Sequence, residues 1–265
     1  MSAVLRTYVL LVWTWTRAAA QYPVSFALMA AGVVVTGGLD IAVIWVIFSN
    51  TTTLGGFTLD EVMFLHGTAF LSFTVADLLF GNVDRIGRHI KAGTLDVMLI
   101  RPASLFVQVA ADRFAPHRVG RVIQAAAVLS VGLARLDVPA GRTWMIPVMV
   151  VSGIVIFTAL WALGGAVQFL LTEAPELANS LTYGGATLTQ YPLSVYGDRL
   201  VIGVTFVVPL AFVNWQPGLY VLGRPDPLGL PYVLRFLSPA AALVTALAAA
   251  LAWRAGIRRY RSTGS

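Results

Sequence analysis

The chain has 265 residues, 58% of them hydrophobic and only 11% charged, with a mean hydropathy of +0.80 and a formal net charge of +6. Soluble domains carry about 25% charged residues, so a water-soluble globule is excluded. Nucleic-acid binding is excluded as the meaning of the positive charge, because the basic residues gather at the edges of apolar blocks, and the absence of cysteine excludes disulfides, thiol chemistry and thiolate metal sites.

Several apolar blocks run for about 18 residues or more, the length that crosses a bilayer as a helix. A β-barrel would instead show alternating segments of about 10 residues. The expected fold is therefore an all-α polytopic membrane protein, a single transmembrane domain over 23–265 preceded by an interfacial segment at 1–22. No cleavable signal is expected, because no small-residue cleavage site precedes Pro23.

Residues 3–21 place Arg6, Thr7, Thr14, Arg17 and Gln21 roughly on one helical face, with Val9, Val12, Trp13 and Trp15 among the rest. Trp and Arg at this density suit the headgroup layer and predict an interfacial helix; the alternative is a continuation of the first span, with Pro23 as the natural break. Spans are expected at 23–48 and 62–80, joined by a polar turn that holds Gly55, Gly56, Asp60 and Glu61. A basic segment follows at 81–118, then spans at 119–136 and 144–171, the latter ended by Glu173, Pro175 and Glu176. The fifth span is either 177–191, with 192–213 re-entrant, or 195–214. The apolar run from Leu200 to Val213 is only about 14 residues, a length typical of re-entrant elements. Residues 214–235 read as a Pro/Gly-rich loop, and 236–253 as the last span.

Thirteen of the 18 basic residues lie in the amino-terminal helix, the region 81–121 and the carboxyl tail. The positive-inside rule puts these parts and both termini in the cytoplasm. The rest of the polar chemistry is sparse. The only lysine, Lys91, sits in HIKAG, so there is no Walker A loop to cradle a phosphate. The H-E-x-x-H and G-x-S-x-G patterns are absent, and His66, His89 and His117 have no ligand spacing. No catalytic residue, metal site or cofactor of this chain's own is expected.

Charged groups inside spans are costly and call for partners or a function. Asp40 lies roughly 25 Å along the helix from Pro23, which predicts the outer half of the membrane. It reads either as a contact for a cation or polar substrate, or as a structural pair with an arginine. Asp77 and Arg121 fall at matching levels and are expected either to pair or to cap helices near the headgroups. Gln168 and Glu173 suit a structural role at the inner end of the fourth span. Gly37, Gly38, Gly164, Gly165, Gly184 and Gly185 suit close helix packing, and the alanine-rich last span suits a tightly packed helix.

The segment IKAGTLDVMLIRP, from Ile90 to Pro102, resembles the G-T-L-[DE]-x-x-L-x-x-P segment of type-2 ABC exporter permeases, and it falls between the second and third spans as theirs does. QYPLSVYGDRLVIGVTFVVPLAFVNWQP resembles the Y-P-L…L-R…P-L run before the last span in the subgroup of formerly uncharacterised ABC permease components. This resemblance implies a six-span, multi-pass permease of the bacterial inner membrane. Such a permease is half of an exporter, dimeric with the same or a related permease. It is driven by two separate ATP-binding cassette ATPase subunits, which would hold the ATP and Mg2+. It further implies a coupling helix that docks on the ATPase, at Gly93, Thr94, Leu95, Asp96, Met98, Leu99, Ile100 and Arg101, a surface-lying connecting helix at 3–21, and outer re-entrant helices at 192–213.

Thr94 can cap this helix and Asp96 suits its first turn, while Leu95, Val97, Met98, Leu99 and Ile100 can offer an apolar face. Where many family members carry an acidic residue upstream of G-T-L, this chain has Arg88, His89 and Lys91. Asp40, Trp45, Phe70, Phe73 and Tyr183 are the candidate pathway contacts by depth and polarity. Two other readings are an ion-coupled secondary transporter, which would need midplane ion ligands and usually inverted repeats, and a non-transporting membrane assembly subunit.

Overall fold

A computed structural model describes residues 3–170 and 180–260, and among these the only regular structure is helical. Twelve helices are used below: α1 (Ala3–Ala20), α2 (Pro23–Asn50), α3 (Leu59–Phe80), α4 (Ile86–Lys91), α5 (Thr94–Leu99), α6 (Leu105–Ala111), α7 (Val119–Arg135), α8 (Met145–Gln168), α9 (Gly185–Thr189), α10 (Asp198–Phe206), α11 (Trp215–Leu222) and α12 (Ser238–Arg259). The Glu173, Pro175 and Glu176 stretch and the start of the expected fifth span lie outside the described residues.

Among the described residues, Pro23–Asn50, Leu59–Lys91, Ala140–Gln168 and Ser238–Arg259 are long and apolar enough to cross a membrane. A fifth stretch qualifies only if Asp198–Phe206 and Leu210–Leu222, bent by 81° to one another, are joined. α7 has 17 residues, about 26 Å of helix, slightly less than the roughly 30 Å hydrocarbon core.

Local chemistry explains the breaks. Pro23 opens α2 at a position where its missing N–H costs nothing. α3 starts on a capping box, in which the Glu61 carboxylate accepts the Thr58 N–H at 2.8 Å. The α3–α7 packing is tight because both helices present glycine. A Cβ on Gly67 would stand 2.6 Å from the Leu129 Cα, and one on Gly132 would stand 2.9 Å from the Phe64 nitrogen, so the backbones touch. α8 lies between α3 and α12. One buried cluster, including Phe64, Leu65, Phe157, Trp161 and Trp215, fills the end nearer the start of α3. A second, with Ile86, Ile90, Leu95, Val109 and Trp253, fills the other end.

Three features stand out, the last two against expectation. First, α2 buries only Gly37 and Ile44. Val33 meets Gly120 and Gly37 meets Gln124, so α2 runs parallel to α7 and its first ten residues extend past the start of α7. Asp40 then sits about 10 Å beyond Val33, level with the middle of α3. Second, α12 packs through one stripe only, Ala242, Thr245, Ala249, Trp253 and Gly256, while Leu243, Val244, Leu247 and Leu251 are exposed. Third, the expected loop at 214–235 contains the buried helix α11. Pro217 fits there because it lies in the first turn, where an N–H has no helical acceptor. Gly223, at φ 68°, ends the helix, and Arg224 N–H returns to the Leu219 carbonyl at 3.0 Å.

The segment between α9 and α12 starts and finishes at one end of α3. Ser194 Oγ donates to the Gly55 carbonyl at 2.8 Å. Thirty residues later Arg224 donates to both Glu61 oxygens, at 2.7 and 2.9 Å. Between these two clips, Asn214 Nδ2 donates to the carbonyls of Leu65 at 2.9 Å and Thr189 at 2.7 Å. Buried backbone that leaves the helical pattern needs such partners in a membrane.

Candidate functional site

The conspicuous polar architecture is at the opposite end of α3. There the chain leaves the helix through a 3-10 turn at Gly81–Arg85 and folds α4, α5 and α6 across the ends of α3, α8 and α12. Ile86, Ile90, Leu95 and Leu105 are buried and meet Ala162, Ala249 and Trp253. The cap is therefore part of the folded body and not a tethered loop.

Three side chains fasten it. Gln168, at the end of α8 and buried, accepts the Gly87 N–H at 2.9 Å and donates to the Asp84 carbonyl at 2.7 Å. Asp77 pairs with Arg118 at 3.3 Å and with Arg121 at 3.8 Å, and Arg118 also donates to the Asp77 carbonyl at 2.9 Å. Asn82 Nδ2 donates to the Asp112 carbonyl at 2.7 Å. Asp77 and Arg121 do pair, but Arg118 is the closer partner. Burial and the neighbouring Arg118 and Arg121 guanidinium groups push His117 below its ordinary value.

α5 itself begins differently from expectation. Gly93 takes the position before the helix at φ 66°, a left-handed conformation that a side chain resists. Thr94 does not cap; its hydroxyl lies 3.0 Å from His89 Nδ1, and His89 Nε2 lies 3.3 Å from Asp112. Gln108 donates to the carbonyls of Met98 at 2.9 Å and Ala103 at 3.0 Å, satisfying groups freed at the end of α5. Leu95, expected on the outward face, is fully buried, and Met98 packs against the same core. The apolar face that remains open is Val97, Leu99 and Ile100, the last 83% exposed. Beside it, Arg85, Arg88, Arg101 and Arg113 rim a cavity of about 520 Å³ that also reaches Trp15 of α1. The end of α12 meets α5 as well: burial and the neighbouring Asp96 carboxylate push the Tyr260 phenol up from its ordinary value.

A family profile described as an ABC-2 family transporter protein matches residues 34–264. The chain belongs to the ABC-2 transporter family. No curated protein and no solved structure matches it. Members of the ABC-2 family are multi-pass membrane components of ABC transporters, which work with ATP-binding cassette ATPase partners.

The ABC-2 assignment leaves the pathway residues to be judged by position. Phe73 meets Tyr183 at 5.7 Å and also Phe157 and Trp161 at 5.3 and 5.4 Å, measured between ring centres. Phe70 and Phe73 are buried in the chain's own core, whereas Asp40 and Trp45 lie on the open side of α2. The structure thus joins Phe73 and Tyr183 and keeps Asp40 and Trp45 apart from them. The Arg121 charge acts on Asp40, but no ion pair joins them among the described residues.

The Glu61–Arg224 clip escaped sequence reading, although the T-L-D-E capping spacing at Thr58–Glu61 pointed to Glu61. Glu61 hydrogen bonding holds the Arg224 guanidinium above its ordinary value. Asn214 was equally silent, because a single Asn in an apolar run carries no partner information.

Proposed function

We propose that the chain is the membrane-spanning half of an ATP-driven exporter of the bacterial inner membrane, with both termini cytoplasmic and α5 as the helix that receives force from an ATPase subunit. The observation that carries this reading is the cap of α4 to α6. It presents the apolar Val97, Leu99 and Ile100 outward, while Gln168 fastens it to α8, Asn82 ties the end of α6 to the turn after α3, and Asp77 with Arg118 locks the adjoining ends of α3 and α7. A surface built to transmit displacement needs an open contact face and a rigid attachment, and this cap has both.

The reading includes six crossings. α2, α3, α7, α8 and α12 supply five. Gln168 lies at the cap end of α3 while Thr189 lies beside Asn214 and Leu65 near the other end, which supports a crossing between them. The two clips at Ser194 and Arg224 support a re-entrant element and not a crossing between them. Two such permeases would form the pathway across the sparsely covered side of α2, where Asp40 and Trp45 lie. Two ATPase subunits would bind ATP and Mg2+. Of the expected coupling set, Gly93 shapes the turn, Asp96 contacts Tyr260, Leu95 and Met98 anchor the helix, and Leu99, Ile100 and Arg101 meet the ATPase. The basic rim around Arg88 and Arg101 calls for an acidic surface on that partner.

The test is Leu99→Asp and Ile100→Asp in the assembled transporter. Burying a carboxylate in an apolar groove costs about 2 kcal/mol or more, so copurification with the ATPase should weaken by about 30-fold. Transport into inside-out vesicles should fall with it, at unchanged permease abundance. Wild-type transport in both variants refutes the assignment of α5.

A further inference from the structure

α12 has a groove on each flank, and both grooves end on an arginine. The larger, about 620 Å³, runs between α8 and α12 from Pro209 and Ala241 at one end to Arg259 at the other. Its lining is apolar, with Leu163, Val167, Ala248 and Ala252 in the half nearer Arg259. The smaller, about 440 Å³, lies on the opposite side of α12. It runs from Ala246 to Arg254 beneath the rings of Phe80, Phe106 and Trp253.

Neither arginine is paired with a carboxylate among the described residues. Among the described residues, each is therefore a cation without a counter-charge at the mouth of an apolar channel. The next basic residue, Arg258, lies at the same height but lines neither groove.

The smaller groove matches one leaflet: from Ala246 to Arg254 is about 12 Å of helix, against roughly 15 Å for half of the hydrocarbon core. The larger runs about 27 Å from Ala241 to Arg259, so its half nearer Arg259 takes a chain of the same leaflet. Among the described residues no side chain fills these channels, and their apolar linings suit an acyl chain. A cation at the depth where the chain meets its headgroup selects the charge of that headgroup. Trp253 beside Arg254 adds the aromatic residue typical of that layer.

We infer that α12 holds two anionic glycerophospholipids of the leaflet at its carboxyl end, one in each groove, with acyl chains against α8 and α12 and headgroups on Arg259 and Arg254. The site adjoins the cap, because Tyr260 follows Arg259 directly and faces Asp96 of α5. A lipid seated on Arg259 therefore bears on the position of α5. The binding claim needs no ATPase and stands apart from the exporter reading.

The experiment uses the purified full-length chain in nanodiscs of mixed phosphatidylglycerol and phosphatidylcholine. Lipid retained through detergent extraction is counted by native mass spectrometry. Phosphatidylglycerol should be retained over phosphatidylcholine. Arg254→Gln and Arg259→Gln should each lower its retention about fivefold, and Arg258→Gln should leave it unchanged. Glycerol 3-phosphate at millimolar concentration should displace nothing, since the headgroup alone cannot occupy the groove. Equal retention of the two lipids, an equal effect of Arg258→Gln, or displacement by glycerol 3-phosphate would each overturn the inference.

Discussion

Replacing Gln168 with Leu tests how the cap is held. Leucine keeps most of the volume but removes both hydrogen bonds that Gln168 makes across the α8–α4 junction, leaving the Gly87 N–H and the Asp84 carbonyl without these partners. Gly87 and Gln168 are buried, so water cannot readily replace them. An orphaned buried group costs about 1–3 kcal/mol; for two groups with partial relaxation, about 2–4 kcal/mol is expected. That loss should fall on local opening of the cap and not on global unfolding, because the α3–α7 and α8–α12 contacts are untouched. Amide hydrogen exchange in residues 84–92, read by mass spectrometry in nanodiscs, should therefore accelerate by about 30-fold or more. Exchange in α7 should stay as it was. Gln168→Glu keeps an acceptor for Gly87 but loses the donor to Asp84, and should show an intermediate effect. Exchange over 84–92 within twofold of wild type in Gln168→Leu would refute the reasoning.

Other changes probe separate links. Gly93→Ala forces a side chain into the left-handed turn and should cost about 1–2 kcal/mol, seen as faster exchange in α5 with no loss of expression. Arg118→Ala strips a buried carboxylate of its nearer partner; about 3 kcal/mol or more is expected, read as a lower unfolding midpoint in detergent, with the Asp77→Asn, Arg118→Met double variant recovering much of it. Glu61→Gln weakens one clip of the α9–α12 segment. Because Arg224 is partly exposed, the cost should be about 1–2 kcal/mol, and proteolysis near Arg224 should increase. If Glu61→Gln leaves that cleavage unchanged, the clip does not hold the segment.

The apolar blocks were legible because hydropathy over a span length is a strong, local signal. Lys91 and the arginines of the 81–121 region marked the cap end for the same reason. Pairings were legible only where two charges stood at matching depth, as Asp77 and Arg121 did; that Arg118 lies closer depends on how the turn at Pro116–Arg118 is folded. The height of Asp40 against α3 was not legible, because counting along α2 from Pro23 says nothing of where its neighbours start; the contact between Val33 and Gly120 sets it. Leu95 belonged to the right helix but the wrong face, since a six-residue helix has too few turns for periodicity to tell its sides apart. α11 was hidden by Pro217, Gly218 and Gly223, whose usual meaning is a loop.

The uneven burial of the spans has a mechanical consequence. α3, α7, α8 and α12 interlock through glycine contacts, two side-chain cores and the cap, so they respond to a load as one plate. α2 touches that plate along one narrow stripe, through Val33, Gly37, Ile44 and Phe48. A displacement applied at Leu99 and Ile100 therefore travels through the plate with little internal yield. Shear concentrates at the seam between α2 and α7, and that seam runs alongside Asp40.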